Sequence, residues 1–506
     1  MELHLDRYVF SVTTRTKPPF LISPSLSCAR SATQLSLNTQ YEEKKLEALT
    51  ILFHTLGGYV WGPVLLVLLV GTGIYLTIRL GALQIRLLPS ALHMAFSRSK
   101  NPNLPGDISQ FQSLMTALAA TIGTGNIAGV ATAIVLGGPG ALFWMWVSAF
   151  FGMATKYAEG LLAVKYRVKE ADGTMSGGPM YYISLGLNMK WLGMLFAIFG
   201  MIAALGTGAS VQSNSLAQSM HSSFGVSGWL TGVVLTSVTA LVILGGIKSI
   251  GRVTAVIVPF MAAIYLFGGL AVIVSNIEGL WPALSLIMTD AFSGTAVAGG
   301  AIGTMIRYGV ARGVFSNEAG LGTAPIAAAA AKTDQPVKQA LVSMTGTFID
   351  TIIVCSITGI VLVMGGQFKS GVTGAALTAQ TFDSMLPGPG GWIVTLGLLF
   401  FAYSTILGWS YYGEKCAQYA LGKRIVWPYR CLYTAFVMIG TVVSLDLVWA
   451  VSDVVNGMMA FPNLIGIALL SGVVVKETHT YLAEERASKA TAMAAVQTQS
   501  ALSKNT

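Results

Sequence analysis

The chain contains eleven apolar stretches, each close to the length that crosses a lipid bilayer. A bilayer core about 30 Å thick needs a helix of roughly 17 to 25 apolar residues. Backbone groups inside lipid must be paired within the protein, which leaves helices or closed barrels as the spanning structures. The sequence therefore predicts an all-α polytopic membrane protein with crossings at about 51–78, 110–136, 140–165, 190–221, 227–246, 252–276, 296–314, 336–364, 391–420, 430–446 and 449–475.

Composition agrees with this prediction, because 54% of the 506 residues are hydrophobic and 10% are charged. A soluble domain has about 25% charged residues. The net charge of +9 is typical of basic cytoplasmic loops, so no nucleic-acid partner is predicted. The cysteines and histidines have no metal-ligand spacing. The sequence also lacks Walker, HExxH and GxSxG motifs. We therefore expect no cofactor and no enzymatic activity, and no obligate protein partner is evident.

Basic residues alternate between successive connections. They occur in 79–109, 165–190, 247–252, 307–338 and 415–430, whereas the opposite connections carry almost only Lys369. The positive-inside rule then predicts an external N-terminus and a cytoplasmic C-terminus. The predicted domains are a disordered or spurious extension at 1–45, a membrane domain at 46–478 and a cytoplasmic tail at 479–506. One helix followed by ten is consistent with two inverted five-helix repeats, the usual organisation of secondary transporters.

A polar, glycine-rich interruption falls midway through the second crossing, in "TIGTGN" (Thr121 to Asn126). Glycine weakens a helix by about 1 kcal/mol, and Thr and Asn compete for backbone groups. Irregular backbone at membrane depth is tolerated where it is buried in protein or lines a cavity. We therefore predict an unwound turn whose freed amides and carbonyls bind a carboxylate and a cation.

A second interruption is expected near the start of the second repeat, and two stretches compete for it. "AVAGGAIGTMIRYGVARG" (Ala296 to Gly313) is preferred, because Arg307 and Arg312 would otherwise lie deep in lipid. Each would cost on the order of 3 kcal/mol there. The alternative is "FSNEAGLGTAP" (Phe315 to Pro325).

Polar side chains inside other crossings complete the candidate site. Ser404 and Thr405, with the carbonyl of Phe401 on the same helix face, are suited to an alkali cation. Asp350 is an acid in an apolar run, a functional candidate by default. Trp409, Gln212 and Asn214 could either line a substrate pocket or pack between helices. Lys156 and Glu159, three residues apart, could neutralise each other's charge in a structural role.

These residues occur within stretches that resemble the alanine or glycine:cation symporter family, also called sodium:alanine symporters. The matching stretches include "FQSLMTALAATIGTGNIAGVATAIVLGGPGALFWMWV", "GMATKYAEGLLAVKYR", "VQSNS", "RYGVARGVFSNEAGLGTAPIAAAAAKTDQPV", "FIDT" and "STILGWSYYGEK". They extend over about residues 55–478. One departure is Ala328, where many relatives have His.

The resemblance implies a leucine-transporter-type fold, with two inverted five-helix repeats plus one additional N-terminal helix, about eleven crossings in all. It also implies Na⁺-coupled symport of alanine or glycine in a bacterial-type inner membrane. The implied substrate contacts are Thr124, Gly125, Gln212, Gly300, Ile302 and Trp409. The implied Na⁺ ligands are Ser404, Thr405, the carbonyl of Phe401 and carbonyls of the turn from Thr121 to Thr124. Asn126 and Asp350 are implied as a second cation position.

Two other functions remain open from the sequence. A carrier of the same fold could be coupled to protons, with Asp350 as the titrating group. A cation channel of broken helices is a further alternative, although the sequence contains no symmetric filter motif.

Overall fold

A computed structural model describes residues 45–97, 104–292, 301–443 and 446–504, without the side chains of residues 301, 302, 489 and 492–504. Residues Thr50–Thr506 form one compact unit, and residues 45–49 are helical. The unit is built almost entirely of helices, as the apolar stretches predict. Its outward-facing side chains are apolar at many positions; Ile78, Leu241 and Phe267 are each more than 70% exposed. Such a surface suits lipid rather than water.

Within the described residues, helices occupy every predicted crossing. In chain order they are α1 (Pro63–Arg79), α2 (Leu83–Arg86), α3 (Leu88–Phe96), α4 (Gln110–Thr121), α5 (Val130–Gly137), α6 (Ala141–Lys165), α7 (Pro179–Gly186), α8 (Lys190–Ala203), α9 (Val211–Phe224), α10 (Gly228–Ile243), α11 (Gly246–Ser275), α12 (Leu280–Ala291), α13 (Ala301–Asn317), α14 (Ala324–Ala329), α15 (Pro336–Thr347), α16 (Ser356–Gly365), α17 (Gly374–Met385), α18 (Pro389–Leu421), α19 (Val426–Val442) and α20 (Asp446–Lys504).

Single π-helical turns connect three of the helix pairs. They are Gly125–Gly129 before α5, Ala204–Ser210 between α8 and α9, and Phe348–Cys355 between α15 and α16. Short 3₁₀ turns lie at Ile277–Gly279, Gln367–Lys369 and Lys423–Ile425. Within the described part of the chain, seven helices have the length and hydropathy to span a bilayer, and the bent pair around residues 121–125 is an eighth. The count of eleven crossings remains a prediction.

A two-stranded hairpin connects α6 to α7. Strand β1 (Val168–Lys169) pairs antiparallel with β2 (Met175–Ser176). Lys423, in the turn after α18, forms an ion pair with Asp172 in the hairpin at 2.8 Å. The hydrogen bond from Lys423 holds the pKa of Asp172 below its usual range. The hairpin is therefore tied to the connection between α18 and α19.

Several helices lie where connections were expected, namely α2, α3, α7, α12, α14 and α17. Helix α20 continues to Lys504, so the segment predicted as a solvated tail is helical. A polar, Ala-rich segment has good helix propensity, and a preceding packed helix removes the cost of nucleation. The proposed domain limits at 45 and 478 remain predictions.

Candidate functional site

The second crossing is interrupted at the predicted position. Helix α4 begins at a capping box between Ser109 and Gln112 and ends at Thr121. Ile122 then adopts an extended conformation, with φ −76° and ψ 94°. The chain resumes as a π turn and α5, at an angle of 51° to α4. The interruption predicted from "TIGTGN" is confirmed, and its backbone is buried inside the helix bundle.

Gly123 in this turn is required by a close approach of α18. A Cβ atom at Gly123 would lie 2.5 Å from the Thr405 hydroxyl and 3.4 Å from Oε1 of Gln212. Real Cβ atoms essentially never come that close to a neighbour. The absence of a side chain therefore allows the unwound main chain to contact the polar groups of α18 and α9.

Five neutral oxygens converge between the interruption and α18. The Ser404 hydroxyl lies 3.3 Å from the Ala119 carbonyl and 3.0 Å from that of Phe401. The Thr405 hydroxyl lies 3.1 Å from the Ala119 carbonyl, 3.3 Å from that of Ile122 and 2.9 Å from that of Phe401. A hydroxyl has one hydrogen to donate, so two hydroxyls cannot satisfy all of these carbonyls at once. The group therefore has acceptor capacity for a cation.

The structure brings Phe401, Ser404 and Thr405 together as the sequence predicts, but not the side chain of Thr121. The Thr121 hydroxyl donates to the carbonyl of Leu118 at 3.3 Å and lines a small cavity beside Lys156. The interruption contributes the carbonyl of Ile122, which belongs to the predicted turn from Thr121 to Thr124, and the carbonyl of Ala119. Sequence reasoning missed Ala119, because a main-chain carbonyl on an apolar residue has no signature in the residue pattern.

A second polar region lies directly beyond the interruption. The N–H of Thr124 donates to Oε1 of Gln212 at 3.3 Å, so these two predicted substrate contacts are neighbours. The Thr124 hydroxyl is buried and has no hydrogen-bond partner within the described residues. A buried polar group without a partner is costly unless a ligand or water completes it. Gly125 faces α13, where a Cβ atom would lie 3.3 Å from Cα of Ser316.

The remaining predicted substrate contacts are more dispersed. Trp409 is buried and packs against Tyr412 with ring centroids 5.9 Å apart. It also closely approaches Gly208 in the π turn that leads to α9. Gly300 lies outside the described residues, and the side chain of Ile302 is likewise not described.

Asn126 and Asp350 meet in a buried cluster. The Asn126 amide donates to Oδ1 of Asp350 at 2.7 Å. The hydroxyls of Ser316 and Thr351 donate to Oδ2 at 2.9 Å and 2.8 Å. The cluster joins the π turn before α5, the end of α13 and the π turn after α15. The structure thus supplies an oxygen-rich site at the position that the sequence singled out, with Ser316 and Thr351 as members that the sequence did not suggest.

The preferred position of the second interruption lies partly outside the described residues, which do not include 296–300. Helix α13 runs unbroken over Ala301–Asn317, so the described part of the stretch 296–313 contains no interruption. The irregular backbone follows α13, with positive φ at Glu318 (56°), Gly320 (91°) and Gly322 (84°). The sequence argument assumed that Arg307 and Arg312 would lie deep in lipid if the helix were unbroken. In the structure both arginines line a cavity. The alternative stretch, "FSNEAGLGTAP", therefore contains the interruption.

Lys156 and Glu159 of α6 both support this irregular segment. Lys156 donates to the main-chain carbonyl of Asn317 at 2.9 Å. One carboxylate oxygen of Glu159 accepts the N–H groups of Gly320 and Gly322, each at 3.1 Å. The pair interacts electrostatically, as the i, i+3 spacing suggested. Its hydrogen bonds go to Asn317 at the end of α13, to the segment that follows, and to the Asn463 amide of α20, which donates to Glu159 at 2.7 Å.

Replacing Glu159 by Ala should therefore destabilise the protein. Two buried main-chain N–H groups and the buried Asn463 amide would lose their acceptor, and Lys156 would lose a neighbouring negative charge, at a cost of roughly 2 to 5 kcal/mol. Thermal unfolding in detergent should show a clear drop in midpoint. Glu159→Gln keeps an oxygen acceptor and should lose less. Equal stability of Glu159→Ala and the unmodified protein would contradict this role.

The fold and the site together define a polytopic membrane transporter of the leucine-transporter type. The crystal structure of MhsT in complex with L-phenylalanine is similar to this chain with a TM-score of 0.54, at 14% identity, over 72% of this chain and 89% of that one. Residues 46–495 match the sodium:alanine symporter family, and the chain belongs to that family.

Two relatives illustrate the range of the family. The "Sodium/alanine symporter AgcS" of Methanococcus maripaludis is 59% identical over 85% of this chain and 96% of its own length. The "Probable sodium/glutamine symporter GlnT" of Bacillus subtilis is 39% identical over 87% of this chain and 92% of its own.

Proposed function

We propose that this chain couples the inward flow of Na⁺ to the uptake of a small neutral amino acid, alanine or glycine. The observation that carries the proposal is the buried group of five oxygens between the interrupted helix and α18. Neutral carbonyl and hydroxyl oxygens suit an alkali cation. The family assignment and the name of the Methanococcus relative point in the same direction. The basic connections favour an external N-terminus and a cytoplasmic C-terminus in a bacterial-type inner membrane.

We assign the amino acid to the region beside the Na⁺ ligands. Its carboxylate would accept hydrogen bonds from the Thr124 hydroxyl and the amides at Gly125, where the positive end of a half-helix favours an anion. Gln212 and Trp409 would complete the pocket, with Gly300 and Ile302 as contacts implied by the family. The narrow space between Gly125 and Ser316 favours a short side chain.

Coupling would follow from the shared turn. The carbonyl of Ile122 belongs to the cation group, whereas the N–H of Thr124, two residues later, belongs to the substrate region. A cation that orders this turn therefore lowers the cost of ordering it for the amino acid. By linkage, bound substrate raises the affinity for Na⁺ by the same factor.

Uptake by purified protein in proteoliposomes tests the proposal. We expect labelled alanine and glycine to accumulate under an inward Na⁺ gradient, at clamped membrane potential, and not under an equal K⁺ gradient. Uptake that ignores Na⁺ and follows a pH gradient would replace this proposal with a proton-coupled carrier. Saturable counterflow without added gradients would exclude a channel.

Asp350 is the specific observation that favours the proton-coupled alternative, because its carboxyl group is buried among hydrogen-bond donors. Under the Na⁺ proposal, Asp350→Asn removes the charged ligand of a second cation position. We expect the Hill coefficient for Na⁺ to fall toward about one, without any new dependence on pH. A variant that loses only pH-driven uptake would instead assign Asp350 to proton coupling. Asp290→Asn, at an acid outside this cluster, is the control.

A further inference from the structure

The outer faces of α9, α10 and α18 enclose an apolar groove with a volume of about 410 Å³. Apart from the hydroxyl groups of Thr231 and Tyr403, its walls consist of hydrocarbon and thioether side chains. The other residues that matter here are Leu216 and Met220 of α9, Leu230 and Val234 of α10, and Leu399 and Phe400 of α18. Leu230 and Val234 are more than half exposed, so the groove opens on the side of the molecule that faces lipid.

A second depression, of about 360 Å³, continues the groove toward the predicted outer surface. Its polar and aromatic lining residues are Ser223 of α9, Gln380 and Asp383 of α17, and Trp392 and Thr395 of α18. On α9, Ser223 follows Met220 by about one turn, and on α18, Thr395 precedes Leu399 by about one turn. The two depressions therefore form one continuous surface, which is polar at its outer end and apolar toward the middle of the membrane.

The polar end of this surface is acidic. Asp383 is the one charged side chain among the described residues that line it, and it forms no ion pair with any of them. One carboxylate oxygen of Asp383 accepts the N–H of Gly388 at 3.3 Å, which does not neutralise its charge. An uncompensated negative charge above an apolar groove suits a ligand with a cationic head and an apolar tail.

Aromatic side chains mark the level of the polar end in the membrane. The rings of Phe224 and Trp392 pack edge to face, with centroids 5.1 Å apart, and Trp229 is 67% exposed at the start of α10. Exposed tryptophans collect at the boundary between membrane and water. From Trp392 to Tyr403, the innermost groove residue of α18, a helix advances about 16 Å. That length matches the roughly 15 Å of hydrocarbon in one leaflet.

We propose that this surface binds one phospholipid of the outer leaflet, of the type whose headgroup ends in a protonated amine. The ammonium group would lie beside Asp383 and the Trp392 ring, and the phosphate would accept a hydrogen bond from the Gln380 amide. One acyl chain would fill the apolar groove. The Thr231 hydroxyl is buried at the groove without a hydrogen-bond partner among the described residues, and it would donate to an ester carbonyl of the lipid.

Helix α18 connects this lipid site to the proposed cation site. Phe400 and Tyr403 line the groove, whereas Ser404 and Thr405 contact the interrupted helix. A bound acyl chain therefore packs against the outer face of the helix whose inner face carries the proposed cation ligands. The lipid site itself does not depend on what the protein transports.

Photo-crosslinking of a lipid tests the site without requiring transport. The full chain is reconstituted in phosphatidylglycerol vesicles that contain a trace of phosphatidylethanolamine with a photoreactive acyl chain. After irradiation, we expect the peptides of α9, α10 and α18 that line the groove to carry most of the label. The matching phosphatidylglycerol probe, which has the same chain and no amine, should label the groove several-fold less.

Two substitutions separate the headgroup contact from the chain contact. Asp383→Asn should reduce the preference for the amine-bearing probe about two- to five-fold, the range for one exposed ion pair. Val234→Trp should abolish groove labelling by both probes, because the indole would occupy the space of the acyl chain. Glu278→Gln and Val256→Trp, at exposed positions outside the groove, are the matched controls and should change neither result.

Label spread evenly over all lipid-facing helices, or equal labelling of the groove by the two probes, would overturn the site and leave only ordinary surrounding lipid. An unchanged headgroup preference in Asp383→Asn would contradict the pairing of the amine with this carboxylate. None of these outcomes bears on the proposed transport function, since no measurement in the series depends on uptake.

Discussion

Thr405→Ala should raise the Na⁺ concentration for half-maximal alanine uptake by about ten-fold, and Ser404→Ala combined with it by roughly a hundred-fold. Each substitution removes one oxygen from the proposed cation site, and a hydrogen-bond-scale interaction of about 1.4 kcal/mol corresponds to a factor of ten. The same hydroxyls satisfy carbonyls of the interrupted helix. The measurement is the initial rate of labelled alanine uptake in proteoliposomes as external Na⁺ is varied.

Ser410→Ala is the matched control for this experiment. Ser410 lies on the same helix, is buried, and donates its hydroxyl to the carbonyl of Leu407 at 2.7 Å. We expect its Na⁺ dependence to match that of the unmodified protein. The midpoint of thermal unfolding of the Thr405→Ala variant should stay close to that of the unmodified protein, whereas its half-maximal Na⁺ concentration should rise. An unchanged Na⁺ response in the double variant would remove Ser404 and Thr405 from the cation site.

Gly125→Val should abolish alanine binding, with an affinity loss of about a hundred-fold or more. A Cβ atom there would lie 3.3 Å from Cα of Ser316 and 3.4 Å from the Phe315 ring. The further methyl groups of valine must enter the space between the interrupted helix and α13, where the substrate would bind. Overpacking at such a contact costs about 1 to 3 kcal/mol of stability, so the variant should remain folded. Equilibrium binding of labelled alanine in saturating Na⁺ is the measurement.

Gly129→Val provides the control at the other end of the same π turn. A Cβ atom at Gly129 would have no neighbour within 4 Å beyond its own helix backbone. The Gly129→Val variant should therefore still bind alanine. A folded Gly125→Val variant that binds alanine normally would move the substrate site away from this turn. Size-exclusion chromatography and thermal unfolding distinguish a lost site from a lost fold.

Local composition was a good guide to the candidate site where the relevant signal was carried by side chains. Hydroxyls at 404 and 405, an acid at 350 and an amide at 126 stand out in apolar runs, and the structure brings each into a buried polar cluster. The argument for a second interruption before Arg307 assumed that this arginine would otherwise face lipid, whereas the structure places it at a cavity. Whether an arginine faces lipid or a cavity depends on the packing of other helices, which a pattern within one segment does not contain.

The sequence by itself determined the helices and the interruption at 121–126, because hydropathy and the weak helix propensity of glycine act over a few neighbouring residues. The tertiary structure alone decided which main-chain carbonyls meet Thr405, and that Arg307 and Arg312 line a cavity. The physical reason is that every residue has the same carbonyl, so its role depends on which distant helix packs against it. Those contacts join residues hundreds of positions apart, where local propensity has no influence.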